Sequence, residues 1–117
     1  LIRRIINFFR GKSAKEEKLD LGREEIRRAK ELTQNTKTRK ELDKVLEKLD
    51  KVEYFQKRGD EANAIKWKEE ALKEIDEILG TAKVKGESED FIEKLQKARE
   101  KIEKELEKER RVGRRSL

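Results

Sequence analysis

The 117-residue chain contains no cysteine, histidine, methionine or proline. Without cysteine there is neither a disulfide framework nor a thiolate metal site, and the redox compartment leaves no mark on the sequence. Without histidine and cysteine the commonest general base, the commonest metal ligand and the strongest side-chain nucleophile are all missing. The 27 Asp and Glu residues could do acid–base work only if burial tuned them, and the pattern sets them between lysines on polar helix faces. The expectation is therefore a protein that is not an enzyme, with no catalytic residue, no cofactor and no metal. A di-iron bundle, which needs Glu-x-x-His on facing helices, is excluded outright.

Apolar residues are also scarce. At 32% hydrophobic and 51% charged, the chain can line narrow helix stripes but not a deep enclosed cavity. No run approaches the roughly 18 apolar residues of a membrane span, and the opening residues lack the small-residue cleavage pattern of a secretory signal. A soluble, cytoplasmic, monomeric single domain is expected over residues 1–117. The charge of +6 belongs to the ends: residues 1–12 and 110–117 carry four cations each and no acid, leaving 25 cations against 27 acids between them.

Average usage would place about six prolines in a chain of this length. Their joint absence with Met, Cys and His, beside a Glu/Lys-filled surface, is the habit of deliberate helical design. The chain therefore reads as an engineered helical bundle.

What is present is helix punctuation. Ser13 and Glu16 form a capping box after Gly11, and Thr38 and Glu41 form the same pattern after a polar loop at 34–37. Gly59 suits a left-handed helix stop and Asp60 the next cap; a further helix is expected to end at Gly80, with Ser88 capping the last. Apolar spacing agrees. Leu1, Ile2, Ile5, Ile6, Phe8 and Phe9 fall within about 160° of one helical face. Later stripes run Leu19, Gly22, Ile26, Ala29 and Thr33; then Leu42, Val45, Leu46, Leu49 and Val52; then Ala64, Ile65, Ala71, Leu72, Ile75, Ile78 and Leu79. Phe91, Leu95, Ala98, Ile102 and Leu106 follow in alternating threes and fours. No segment alternates with period two. The fold class is all-α: an antiparallel four-helix bundle over 14–33, 39–58, 61–79 and 89–111, with an additional short amphipathic N-terminal helix at 1–11.

Several short motifs have simpler explanations. Arg10-Gly11-Lys12-Ser13 ends like a phosphate loop, but Ile6 stands where the first glycine belongs and no strand precedes it. Arg58-Gly59-Asp60 spells the tripeptide read by integrins, yet a helix stop followed by a helix start needs that Gly and that Asp for backbone reasons. Around the same turn, a BH3-like helix would place bulky anchors where Arg58 and Ala62 stand. The basic ends, LIRRIINFFRGK and ERRVGRRSL, allow weak salt-sensitive polyanion binding but no specific nucleic-acid readout. The opening stretch has the composition of an interfacial membrane helix; the more economical expectation is that its six large apolar side chains complete a core whose second helix offers only small residues.

In the middle of the chain, Leu46, Glu47, Lys48, Leu49 and Phe55, followed by Thr81, Lys83 and Gly86, resemble a stretch found in uncharacterised cytoplasmic helical proteins of Firmicutes and their phages. The likeness spans about half the chain. It departs where Gln34 and Asn35 replace an Asn-Pro turn and where the aromatic pair after the helix is missing. It implies no activity and lends no catalytic residue; it fits a natural backbone redesigned as a carrier.

The functional expectation is a scaffold presenting a surface patch to a protein partner such as an antibody or receptor, with Arg4, Asn7, Phe8, Tyr54 and Trp67 as candidate contacts. The competing expectation is a peripheral membrane- or polyanion-binding protein that uses both basic ends.

Overall fold

The computed structural model describes the backbone of residues 20–116 and the side chains of residues 20–109. Four helices follow in chain order: α1 (Arg23–Leu32), α2 (Thr36–Lys57), α3 (Glu61–Ala82) and α4 (Glu89–Ser116). Connections of three, three and six residues allow only antiparallel neighbours. Packing is cyclic: α1 on α2, α2 on α3, α3 on α4 and α4 back on α1. Ion pairs fix the antiparallel register. Arg23 meets Asp50 and Lys30 meets Asp43; Lys48 meets Glu74, Asp76 meets Arg99, and Lys101 meets Glu25. The fold is the all-α bundle that the spacing predicts. The expected helix at 1–11, the cap at Ser13 and Leu19 lie outside the described residues.

Two helix stops are Schellman motifs. The Gly59 N–H donates to the Gln56 carbonyl and the Asp60 N–H to the Phe55 carbonyl, while Gly86 donates to Lys83 and Glu87 to Ala82. Gly59 and Gly86 take the required positive φ of 79° and 78°. Asp60 and Ser88 cap the following helices, accepting from the Asn63 and Phe91 N–H groups, as expected.

Three expected boundaries are corrected. First, α3 passes through Gly80 to Ala82, and Gly86 terminates it instead. A glycine ends a helix only where the chain turns left-handed, and here the backbone completes one more turn first. Second, α2 begins at Thr36 with Asn35 as its cap, the Oδ1 accepting from the Thr38 N–H at 3.1 Å. Asn caps as well as Ser or Thr, so the helix starts one turn earlier than the Thr38 pattern predicts; Thr38 is buried on the core side of the first turn. Third, Gly22 does not lie in a helix stripe. It stands before α1 at φ 76°, with its N–H bonded to Asp20 Oδ1. At its far end α4 runs to Ser116, past the expected 111.

The core comprises Leu21, Ile26 and Ala29; Leu42, Val45, Leu49 and Val52; Ala71, Ile75, Ile78 and Ala82; and Phe91, Leu95, Ala98, Ile102 and Leu106. Each helix contributes one row at three- and four-residue spacing. α1 is 10 residues long and α2 and α3 are 22, about 15 Å against 33 Å. Among the described residues, the row from α1 therefore covers about half the length of the α2 and α3 rows, and Gly22 before its start backs onto Ala98.

Candidate functional site

Lys51, Tyr54 and Arg58 recur at three and four residues, so they share one stripe on the solvent side of α2. Tyr54 is 51% exposed, the most exposed aromatic among the described residues. Its ring meets Phe55 edge-on at 5.1 Å, and the Arg58 guanidinium lies 4.5 Å from its centroid. A shallow surface cleft beside it is lined by Asp50, Glu53, Lys57 and Arg58. Trp67, on α3, joins the same stripe from the other side: Lys51 Nζ sits 4.2 Å above its ring and Lys66 Nζ 5.3 Å away. Trp67 is half-buried and packs against the core. The two aromatics are thus brought together through Lys51, with different roles. Tyr54 offers a ring edge and a hydroxyl to solvent, whereas Trp67 is a supporting wall with cations on its face. Arg4, Asn7 and Phe8 lie outside the described residues.

A second polar feature is internal. On α3 the core row runs Ala64, Lys68, Ala71, Ile75, Ile78 and Ala82, so Lys68 occupies a position where its neighbours are apolar. It is fully buried, and its Nζ donates to Glu109 Oε1 of α4 at 2.7 Å. The Glu109 side chain is itself only 17% exposed. In the last turn of α2, the Gln56 Oε1 is buried without a hydrogen-bond partner. A lysine in a core row is normally eliminated, because desolvating the ammonium offsets the attraction of its partner. Lys68 was not among the sequence candidates. The stripe read from Ala64, Ala71, Ile75 and Ile78 leaves a gap that Trp67 or Lys68 could fill at helical spacing, so the pattern by itself does not select the lysine.

The remaining clefts are open grooves. One lies between α3 and α4, with Leu72 and Leu106 at its floor and Glu100, Glu103, Glu107 and Lys104 on its rim. Arg99 bridges it by bonding Asp76 and Glu103, which raises the Arg99 pKa above its ordinary value, the bond to Asp76 first. Where the chain enters α1, the bond from the Gly22 N–H lowers the Asp20 pKa most; burial opposes it, and Lys101 adds to the lowering. Lys101 is raised in turn by its bonds to Glu25 and Asp20. These are structural ion pairs on helix surfaces, far from any enclosed cavity. Among the described residues, no group of three acidic residues is arranged to hold a metal ion, and no helix is long and apolar enough to cross a membrane.

Comparison with protein-family models, with curated proteins and with solved structures finds no match for the chain.

Proposed function

We propose that this protein is a non-enzymatic, engineered helical scaffold that presents the outer stripe of α2 to a protein partner such as an antibody or receptor. The observation that carries the reading is Tyr54, half exposed on a two-turn-deep helix face with Arg58 stacked on its ring and Trp67 held beside the same stripe under Lys51. Tyrosine, tryptophan and arginine are the residues on which protein recognition concentrates its energy. Setting them on a packed helix lowers the ordering cost of association, because the contact residues are already in place. The missing histidine and cysteine, together with carboxylates engaged in surface pairs, support a binding role over a catalytic one.

The test is selection of an unbiased antibody repertoire on the folded chain, followed by alanine mapping of every exposed residue. Escape is expected to concentrate at Lys51, Tyr54 and Arg58, with Tyr54→Ala weakening the dominant binders at least about tenfold, a loss of roughly 1.4 kcal/mol. Stability of that variant should change by less than about 0.5 kcal/mol. Escape positions scattered over all four helices, or salt-sensitive co-sedimentation of the protein with anionic vesicles, would overturn the reading.

A further inference from the structure

Taking α2 as the presented face, on which this rests, we infer that its outer stripe docks an acidic helix of a partner protein. The partner's carboxylates lie opposite Lys40, Lys44, Lys51 and Arg58, and one cation lies opposite Glu47. Lys40, Lys44, Glu47, Lys51, Tyr54 and Arg58 recur in alternating fours and threes, and all six are exposed. That spacing sets them on one face, opposite the buried row of Leu42, Val45, Leu49 and Val52. From Lys40 to Arg58 the face runs about 27 Å, or about five helical turns.

Charge is sorted across this helix. Of the five acids in α2, four are drawn to other elements: Asp43 to Lys30, Asp50 and Glu53 to Arg23, and Glu41 to Lys85. Lys48 turns to Glu74 of α3. The outer face keeps four cations against Glu47, and among the described residues none of these five charges is ion-paired. Lys44 and Lys51 flank Glu47 at three and four residues yet close no pair with it; Lys51 lies on the Trp67 ring instead. By contrast, Glu24 of α1 pairs with Arg27 and Arg28 on its own helix, and Lys108 of α4 with Glu105. A row of uncompensated charges at helical spacing leaves its field to a partner, and complementary charge sets that partner's register.

The order of the charges selects a protein helix. From Lys40 onward the face presents two cations, an acid, a cation, an aromatic ring and a cation. A helix matches it with carboxylates, one cation and an apolar side chain at the same three- and four-residue spacing. A phosphate backbone gives Glu47 only repulsion. Bases also need free aromatic faces to stack on, whereas Tyr54 carries Arg58 and Trp67 carries Lys51 and Lys66. A lipid surface asks for an apolar face, and the six positions include no aliphatic side chain.

Trp67 is the one tryptophan of the chain, and with Lys51 on its ring its emission reports when Lys51 is drawn to a carboxylate. The probe is an alanine-rich helical peptide, free of tryptophan, that carries the matching order of Glu, Lys and Leu. A second peptide has Glu in place of its single Lys. At about 0.15 M salt, charges more than about 8 Å apart are screened, so local matching decides between them. The first peptide is expected to change Trp67 emission, to shift the amides of 40–58 and to bind the full chain at least about threefold tighter than the second. Glu47→Lys should reverse that order, and Lys40→Glu with Lys44→Glu should weaken the first peptide at least about tenfold. A second peptide that binds the parent chain as tightly as the first would overturn the inference, as would an unchanged affinity after Lys40→Glu with Lys44→Glu. So would tighter binding on 40–58 of oligothymidylate, or of mixed phosphatidylcholine and phosphatidylserine vesicles, than of the first peptide. Antibody escape centred on Tyr54, beside a first peptide that does not bind, sinks the docked helix alone. A first peptide that binds as expected, beside scattered escape, removes the antibody reading and keeps the docked helix.

Discussion

Single residues differ sharply in what they contribute, and three glycines show it. A Cβ on Gly22 would come within 2.6 Å of Ala98 Cα, a backbone atom that cannot step aside, and φ is already +76°. Gly22→Ala should therefore combine the left-handed penalty with overpacking and cost about 3 kcal/mol in chemical unfolding. Gly59 has the same backbone sign but open space around it, so Gly59→Ala should cost only about 1 kcal/mol. Gly80 is helical with nothing near it, and Gly80→Ala should stabilise by about 1 kcal/mol. The buried Lys68–Glu109 pair follows a different rule. Removing Glu109 alone leaves an uncompensated ammonium, so Glu109→Ala should cost about 3 kcal/mol. Replacing both partners, as in Lys68→Leu with Glu109→Leu, should be neutral or stabilising by about 1 kcal/mol or more. Urea unfolding of the two single variants and the double variant measures the difference directly.

Individual helices are held by their ends as much as by their faces. Asn35→Ala should cost about 1 kcal/mol through the lost bond to the Thr38 N–H. Thr38→Val should cost nothing or stabilise, because the Thr38 hydroxyl is buried and lacks a hydrogen-bond partner. The opposite ranking in thermal unfolding would restore Thr38 as the cap. The same ends explain why helix type and number were legible in the sequence while limits were not. Asp60, Ser88 and Gly59 are local devices that a short window reveals. The choice between Asn35 and Thr38, or between Gly80 and Gly86, depends on where the backbone turns, which neighbouring helices decide.

At the scale of the whole molecule, charge ties the helices into one register without much net energy. Exposed pairs such as Lys30–Asp43 and Arg99–Asp76 contribute about 0–1 kcal/mol each and are screened by salt. Acid acts more specifically. Asp20 has a folded pKa below its ordinary value of 3.8, so its contribution is complete above that value and disappears as pH falls through the lower folded one. Lys101 is shifted upward from 10.5, so its contribution is complete below that pH and disappears as pH rises through the higher folded value. Melting temperature followed from pH 5 to pH 2 should fall less in Asp20→Asn than in the parent chain, and the two curves should run parallel from pH 5 to pH 9.

Periodicity and composition determined that the chain is helical, that four stripes exist between residues 20 and 109, and that catalysis by histidine or cysteine is excluded, because these depend on residue identity and spacing along one strand of chain. They also singled out Tyr54 and Trp67. Only the tertiary structure decided that Tyr54 stays exposed while Trp67 is half covered, since both lie off their stripe centres and the neighbouring helix settles which is shielded. It also decided that Lys68 is interior. A lysine among Lys/Glu repeats is indistinguishable from a surface cation until Glu109, 41 residues away, is brought within 2.7 Å. Contacts between distant segments depend on packing geometry, which no local pattern encodes.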